Sequence, residues 1–265
     1  SPAETMLIIS PDTHLKEFLK FTFMELVIQK VLDIVAVNSN SKNRKDKTSQ
    51  YVIPGKNFGK SKPKDHEIIF LKPFVMNRNI QIAFKNYIKT IHENCKGNYP
   101  FKKSIRSNEL IKPLFKRDIL SNFLHLTKHS NTGETTKKEI LAYLQHFENN
   151  FSKLIKDNKE KAMELLLSIG GNVLLYKNFD YKLLGQFDKA FLNDYKRVSN
   201  GDYATESGWW YFSEFDVDDF DYFHDTYENV SSDFDSHDYS DSGSNDSGCS
   251  SCSGCGGCGG CGGCS

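Results

Sequence analysis

Six cysteines stand at a strict spacing of three near the end of the chain, Cys249, Cys252, Cys255, Cys258, Cys261 and Cys264, with only Gly and Ser between them. Cys-x-x-Cys is the spacing at which two thiolates close on one Zn²⁺, and glycine between them lets the backbone turn at no steric cost. Six such thiols can saturate one tetrahedral site and start a second, or hold a small cluster of a soft ion, so the expected cofactor is Zn²⁺ or Cu(I). The repeat is unbroken and carries no His, whereas structural zinc sites usually come as two pairs separated by a folded segment. The seventh cysteine, Cys95, is isolated, and a body nearly free of cysteine argues against a secreted disulfide scaffold.

No other residue set makes so clear a chemical pattern. His125 and His129 are four apart and could share a helix face, but no Cys or carboxylate completes a metal set at a recognisable spacing. Gly55-Lys56-Asn57-Phe58-Gly59-Lys60-Ser61 falls one residue short of a phosphate-binding loop, and Pro63 follows where the phosphate-binding helix would begin. Asp216, Asp218, Asp219 and Asp221 lack the Gly and the terminal Glu of a calcium loop. There is no His-Glu-x-x-His, no Gly-x-Ser-x-Gly and no paired-carboxylate motif. The expected class is therefore a non-enzymatic interaction protein.

The elements that must position these groups are set by a strong charge split. The 265 residues hold 34 basic and 34 acidic side chains, yet every Lys and Arg lies at or before Arg197. Residues 1–200 carry a net charge of +14, and the remainder carries 14 acidic residues and no basic one. From Gly201 the chain interleaves aromatic and acidic residues, as in Trp209-Trp210-Tyr211-Phe212 and Phe215 to Phe223. Such a segment cannot build a core of its own and reads as disordered or docked, with the basic body as its tethered intramolecular partner. The longest apolar stretch, Phe21 to Val37, is interrupted by Glu25, Gln29, Lys30 and Asp33, short of the ~18 uninterrupted apolar residues of a membrane span.

Within the body, Ser1-Pro2-Ala3-Glu4 is a helix start with Ser as N-cap, Pro at the first position and Glu completing a capping box. That helix runs to about Ile9. After Ser10-Pro11-Asp12-Thr13, the recurrence of Leu15, Phe18, Leu19, Thr22, Leu26 and Gln29 predicts a buried helix. The β-branched run Val31 to Val37 predicts a strand, and Tyr51-Val52-Ile53 its partner, with residues 38–50 as the hairpin tip. Helix, helix, strand, loop, strand is the order of a winged-helix module. Lys42, Arg44, Lys45 and Lys47, then Lys56, Lys60, Lys62 and Lys64, would make its wing basic, which is compatible with phosphate contacts, a protein partner or an anionic membrane. Nucleic-acid binding is the weaker alternative, because Lys16 and Lys20 alternate with Glu17 and Glu25 on the helix that would enter the groove.

Further helices are expected over residues 64–75, Ile80 to Ile91, Glu109 to Phe115, Ile119 to Leu126, from Thr135 or Thr136 to Phe147 or Leu154, from Lys159 to a stop at Gly170-Gly171, and from Leu183 to Tyr195. The fold class is thus mainly α with a small β hairpin. It comprises a winged-helix-like module over 1–75, a helical domain over 76–200, an acidic aromatic linker over 201–248 and a Cys/Gly-rich tail over 249–265.

Pro2-Ala3-Glu4, the segment Met24 to Leu32, and the stretch Ala162 to Gly171 followed by Asn178-Phe179 and Phe187 resemble the soluble module of a bacterial predicted-membrane-protein family of uncharacterised function. That family carries an Arg-Gly turn before the strand, where this chain has Gln29-Lys30. The resemblance implies a membrane anchor upstream of Ser1 and a cytoplasmic location for the segment. Gly254 to Cys261 also resembles the core of thiazole-forming microcin precursors, which implies the alternative that the tail is a substrate whose cysteines are cyclised onto the preceding carbonyls.

Overall fold

The computed structural model describes residues 1–39, 47–116 and 127–176, and the single positions Val230, Ser232 and Phe234. The described chain is mainly helical with one small antiparallel sheet. Its order is α1 (Pro2–Ile9), α2 (Leu15–Ile28), β1 (Leu32–Ser39), β2 (Lys47–Pro54), α3 (Ile68–Val75), β3 (Ile82–Ala83), α4 (Phe84–Asn94), α5 (Asn98–Arg106), a 3-10 turn (Lys112–Leu114), α6 (Asn131–Asp157), α7 (Lys159–Ile169) and a second 3-10 turn (Gly170–Leu175). None of these helices is long and apolar enough to cross a membrane.

The capping box expected at the start of α1 is formed: Ser1 Oγ accepts from the Glu4 amide, and Glu4 Oε2 reaches back to the Ser1 nitrogen at 2.8 Å. α2 then buries an unbroken run from Phe18 to Gln29, and its only partly exposed members are Lys16 and Glu17. Lys30 turns the chain out of α2 in the left-handed conformation, φ 52°, and leads into β1. β1 and β2 pair antiparallel from Leu32 opposite Pro54 to Ser39 opposite Lys47, so the ladder extends beyond the segment expected and leaves 40–46 as the connection. Leu32, Ile34 and Val52 turn into the core from one face of this hairpin. At its base Gly55 donates to Val31 O at 2.9 Å, and a Cβ there would lie 2.2 Å from the Lys30 carbonyl oxygen, so only glycine allows this approach.

Three expectations are corrected. Ile80 to Ala83 is not helical; Ile82 and Ala83 instead add a short third strand to β2, opposite Val52 and Tyr51, and the helix begins at Phe84. Glu109 to Phe115 contains only the single 3-10 turn, with Pro113 inside it and Phe115 extended after it. α6 begins at Asn131, a turn earlier than Thr135, because Ser130 Oγ caps it from the Gly133 amide at 3.1 Å while the Ser130 amide is held by Leu114 O. α5 has no counterpart in the sequence reading; Pro100 falls in its first turn, where the missing N–H costs nothing. α7 runs from Lys159 to Ile169 and stops at Gly170, φ 53°, as expected. The segments 119–126 and 183–195 lie outside the described residues.

One hydrophobic cluster runs through these elements from Ala3 to Leu174. Its aromatic centre is Phe23 of α2, whose ring lies 5.6 Å from Phe84, 5.7 Å from Tyr87 and 6.4 Å from Phe70. Tyr87 is fully buried and satisfies its hydroxyl on Phe70 O at 2.7 Å, the partner a buried phenol requires. A second aromatic group, Phe147, Phe151 and Tyr176, joins α6 to the turn after α7.

Candidate functional site

Cys249, Cys252, Cys255, Cys258, Cys261 and Cys264 lie outside the described residues, as do Asp216 to Asp221 and His125. Cys95 is a free, buried thiol whose Sγ donates to His92 O at 2.9 Å, and burial raises its pKa, the setting of an inert cysteine. His129 is not on a helix: it sits in an isolated β-bridge with Phe115, stacks on that ring at 5.3 Å and places Nδ1 3.2 Å from Glu134 Oε1. The glycine-rich stretch after β2 is a turn rather than a phosphate cradle. Asn57 Nδ2 donates to Gln29 O at 2.9 Å, and Lys60 Nζ is engaged by Asn57 Oδ1.

The fold instead assembles a polar cluster in the N-terminal half of its core. Glu25 from α2 and His66 and Glu67 from the turn before α3 are 0%, 1% and 6% exposed, and one ligand atom from each lies within 4.8 Å of the others. Beside them, Glu4 Oε2 accepts from Lys64 Nζ at 2.9 Å, and Glu4 Oε1 accepts from Asn108 Nδ2. Gln29 Nε2 donates to Glu25 Oε1 at 3.2 Å, and the Lys64 amide donates to Glu67 Oε2 at 2.9 Å. His66 packs its ring edge to face with Phe101, and its buried Nε2 has no hydrogen-bond partner among the described residues.

The environment separates these groups electrostatically. Burial, reinforced by the nearby Glu25 carboxylate, pushes Glu67 up to about 7. Burial, with Lys64 and the Ser1 amino group adding to it, pulls His66 down to about 3, so its imidazole is neutral. Burial alone would raise Glu4, but the Ser1 amino group and Lys64 outweigh it and hold that carboxyl well below the usual range. Lys64 is shifted upward in turn: burial opposes its charge, while Glu25, Glu4 and Glu67 favour it.

The sequence reading found no carboxylate pair, because Glu25 and Glu67 are far apart in the chain and share no local motif. A signal was nevertheless present. Glu25 interrupts the run Phe23 to Ile28, which is apolar but for it, and His66-Glu67 directly precedes the apolar run Ile68 to Leu71. Polar groups at core positions must find one another or a ligand.

A second contact was left open by the sequence. Val230 and Phe234, from the acidic aromatic stretch, are 0% and 1% exposed, and the Phe234 ring lies 6.4 Å from Phe23 and 6.5 Å from Phe84. Ser232 between them is exposed.

No family model, no curated protein and no solved structure matches the chain.

Proposed function

We propose that this chain is a non-enzymatic interaction protein of a bacterial cell whose helical body anchors an acidic aromatic segment and thereby presents a thiol-rich tail to soft metal ions. The observation that carries the reading is the burial of Val230 and Phe234, the latter against Phe23 and Phe84 and only 15 residues before Cys249. A short tether of this kind holds the thiols near the body at high effective concentration, and the excess positive charge of residues 1–200 complements the 14 carboxylates that follow. Six thiolates at Cys-x-x-Cys spacing supply the soft donors for Zn²⁺ or Cu(I).

The winged-helix-like reading of residues 1–75 rests on the order α1, α2, β1, β2, to whose hairpin the later β3 adds a short third strand. The family resemblance is supported by one backbone detail: Lys30, which stands where those proteins carry the Gly of an Arg-Gly turn, adopts φ 52°, the conformation glycine favours. A membrane anchor preceding the segment and a cytoplasmic location follow from that resemblance. α2 offers no exposed face to a nucleic-acid groove, because its residues from Phe18 onward are buried, which ranks that alternative lower.

Intact mass of the protein from its own host, under native and denaturing conditions and with free thiols counted, tests the reading. Zinc or copper retained only in the native spectrum is the expected result. A denatured mass short by multiples of water would make the tail a cyclised product, and a metal-free chain with six free tail thiols that takes up no added metal would overturn the proposal.

A further inference from the structure

The cluster of Glu25, His66 and Glu67 has the composition of a ligand set, with two carboxylates and one imidazole drawn from two elements onto one buried point. Its ligand atoms lie within 4.8 Å of one another. Donors around a first-row cation bound at ~2.0–2.2 Å stand roughly 3.5 Å apart, so closure needs only small rotations of two flexible Glu side chains. The neighbouring Lys64 is drawn electrostatically to Glu25 and Glu67 as well as to Glu4. Lys64 Nζ is committed to Glu4 Oε2 at 2.9 Å, and Glu4 also holds the Ser1 nitrogen and Asn108. Glu67 Oε2 accepts the backbone amide of Lys64 at 2.9 Å.

The feature that points to a missing occupant is His66. Its side chain is 1% exposed, its ring is pinned edge to face on Phe101, and its Nε2 is sealed from solvent without a hydrogen-bond partner among the described residues. Burying such an atom with nothing to bond is costly, and a protein that retains it normally has a partner for it. Here two carboxylates stand within reach of the same ring, an arrangement that suits a cation.

We propose that Glu25, His66 and Glu67 bind one divalent cation of the Zn²⁺ or Mn²⁺ class, a structural site inside the body that is separate from the thiol tail. Two carboxylates balance the charge of the ion, so a neutral unit is buried where separate charges would be costly. The donor set selects against Cu(I), which prefers the thiolates of the tail, and the two sites therefore sort metals by softness. The ion would tie α2 to the turn before α3, the junction on which Phe23 and Phe70 pack.

The test uses the 265-residue chain with all six tail cysteines changed to serine, titrated with Zn²⁺ by calorimetry and with Mn²⁺ by loss of the free-ion paramagnetic resonance signal. Uptake of one Zn²⁺ per chain, with a rise in melting temperature, is expected. Glu67→Gln and His66→Gln in that background should each weaken Zn²⁺ by about tenfold or more, since removal even of a group that only orients a ligand costs 10- to 100-fold. No stoichiometric Zn²⁺ binding by the serine chain would overturn the proposal, whatever the variants do, and so would affinity unchanged in both variants. Should His66→Gln fail to fold, Glu67→Gln decides, because it preserves volume and removes only charge. The tail plays no part in this measurement, so its outcome is independent of the function proposed above.

Discussion

α2 and α6 are both helices of one core, yet they are built to opposite specifications. α2 has 14 residues and buries 12 of them, including Lys20, Thr22 and Glu25. α6 has 27 residues and buries only Gly133, Phe147, Phe151 and Ile155. A helix enclosed on all sides must find partners for its polar groups along its own length or on other elements. Thr22 bonds back to Phe18 O at 2.8 Å, Lys20 pairs with Glu17 at 2.9 Å, and Glu25 meets Gln29, His66 and Glu67. A helix with one buried stripe leaves such groups in water, where they cost little and contribute little. The difference explains why the polar cluster forms beside α2 and why α6, despite its length, serves as a strut.

This contrast can be broken most severely at Phe23. Phe23→Ala removes a ring that touches four others and should destabilise the fold by about 3–5 kcal/mol, read as a lower urea midpoint at unchanged slope. Phe234→Ala comes next, at about 3 kcal/mol, because it opens the same aromatic centre from the acidic side. It should also speed proteolytic release of the tail. A Phe234→Ala chain as stable and as protease-resistant as the parent would detach that segment from the account.

Glu4 sharpens the comparison through pH. Its folded carboxyl is held below its ordinary value of 4.5, so it contributes stability that is present above that value and lost as the pH falls through the depressed one. Glu4→Gln should therefore flatten the acid limb of the stability profile and cost about 1 kcal/mol near neutrality, reduced by the partial exposure of Lys64. An acid limb unchanged by the substitution would contradict the assignment. The smallest effect is expected on α6, where Leu141 is 44% exposed and Leu141→Ala should stay within about 0.5 kcal/mol.

The same contrast decides what could be read in advance. α1, α2 and α7 were legible because their signals are local: a capping box at Ser1 and Glu4, apolar residues at three and four, and a glycine stop at Gly170. The pairing of β1 with β2 was legible from two β-branched runs flanking a polar loop. β3 was not, since two residues carry no pattern and become a strand only where the edge of β2 receives them. α5 was missed because its first turn reads Asn98-Tyr99-Pro100, and its apolar anchors, Phe101 and Ile105, are too few to show a period. The candidate cation site was invisible for a deeper reason: Glu25 meets His66 and Glu67 only once the turn before α3 has folded onto α2. The anchoring of Phe234 is likewise a long-range event: the acidic aromatic stretch reads as disordered or docked, and no local pattern singles out Phe234 as its contact.

The central claim is that the tail thiols, and not the body alone, carry soft metal. Native mass spectrometry of the full chain and of the chain with all six tail cysteines changed to serine, each offered Zn²⁺ and Cu(I) under reducing conditions, tests it most directly. The account predicts that the full chain takes up Cu(I) while the serine chain takes up none, and that the full chain holds more Zn²⁺ than its serine counterpart. Equal uptake of both metals by the two chains would contradict it.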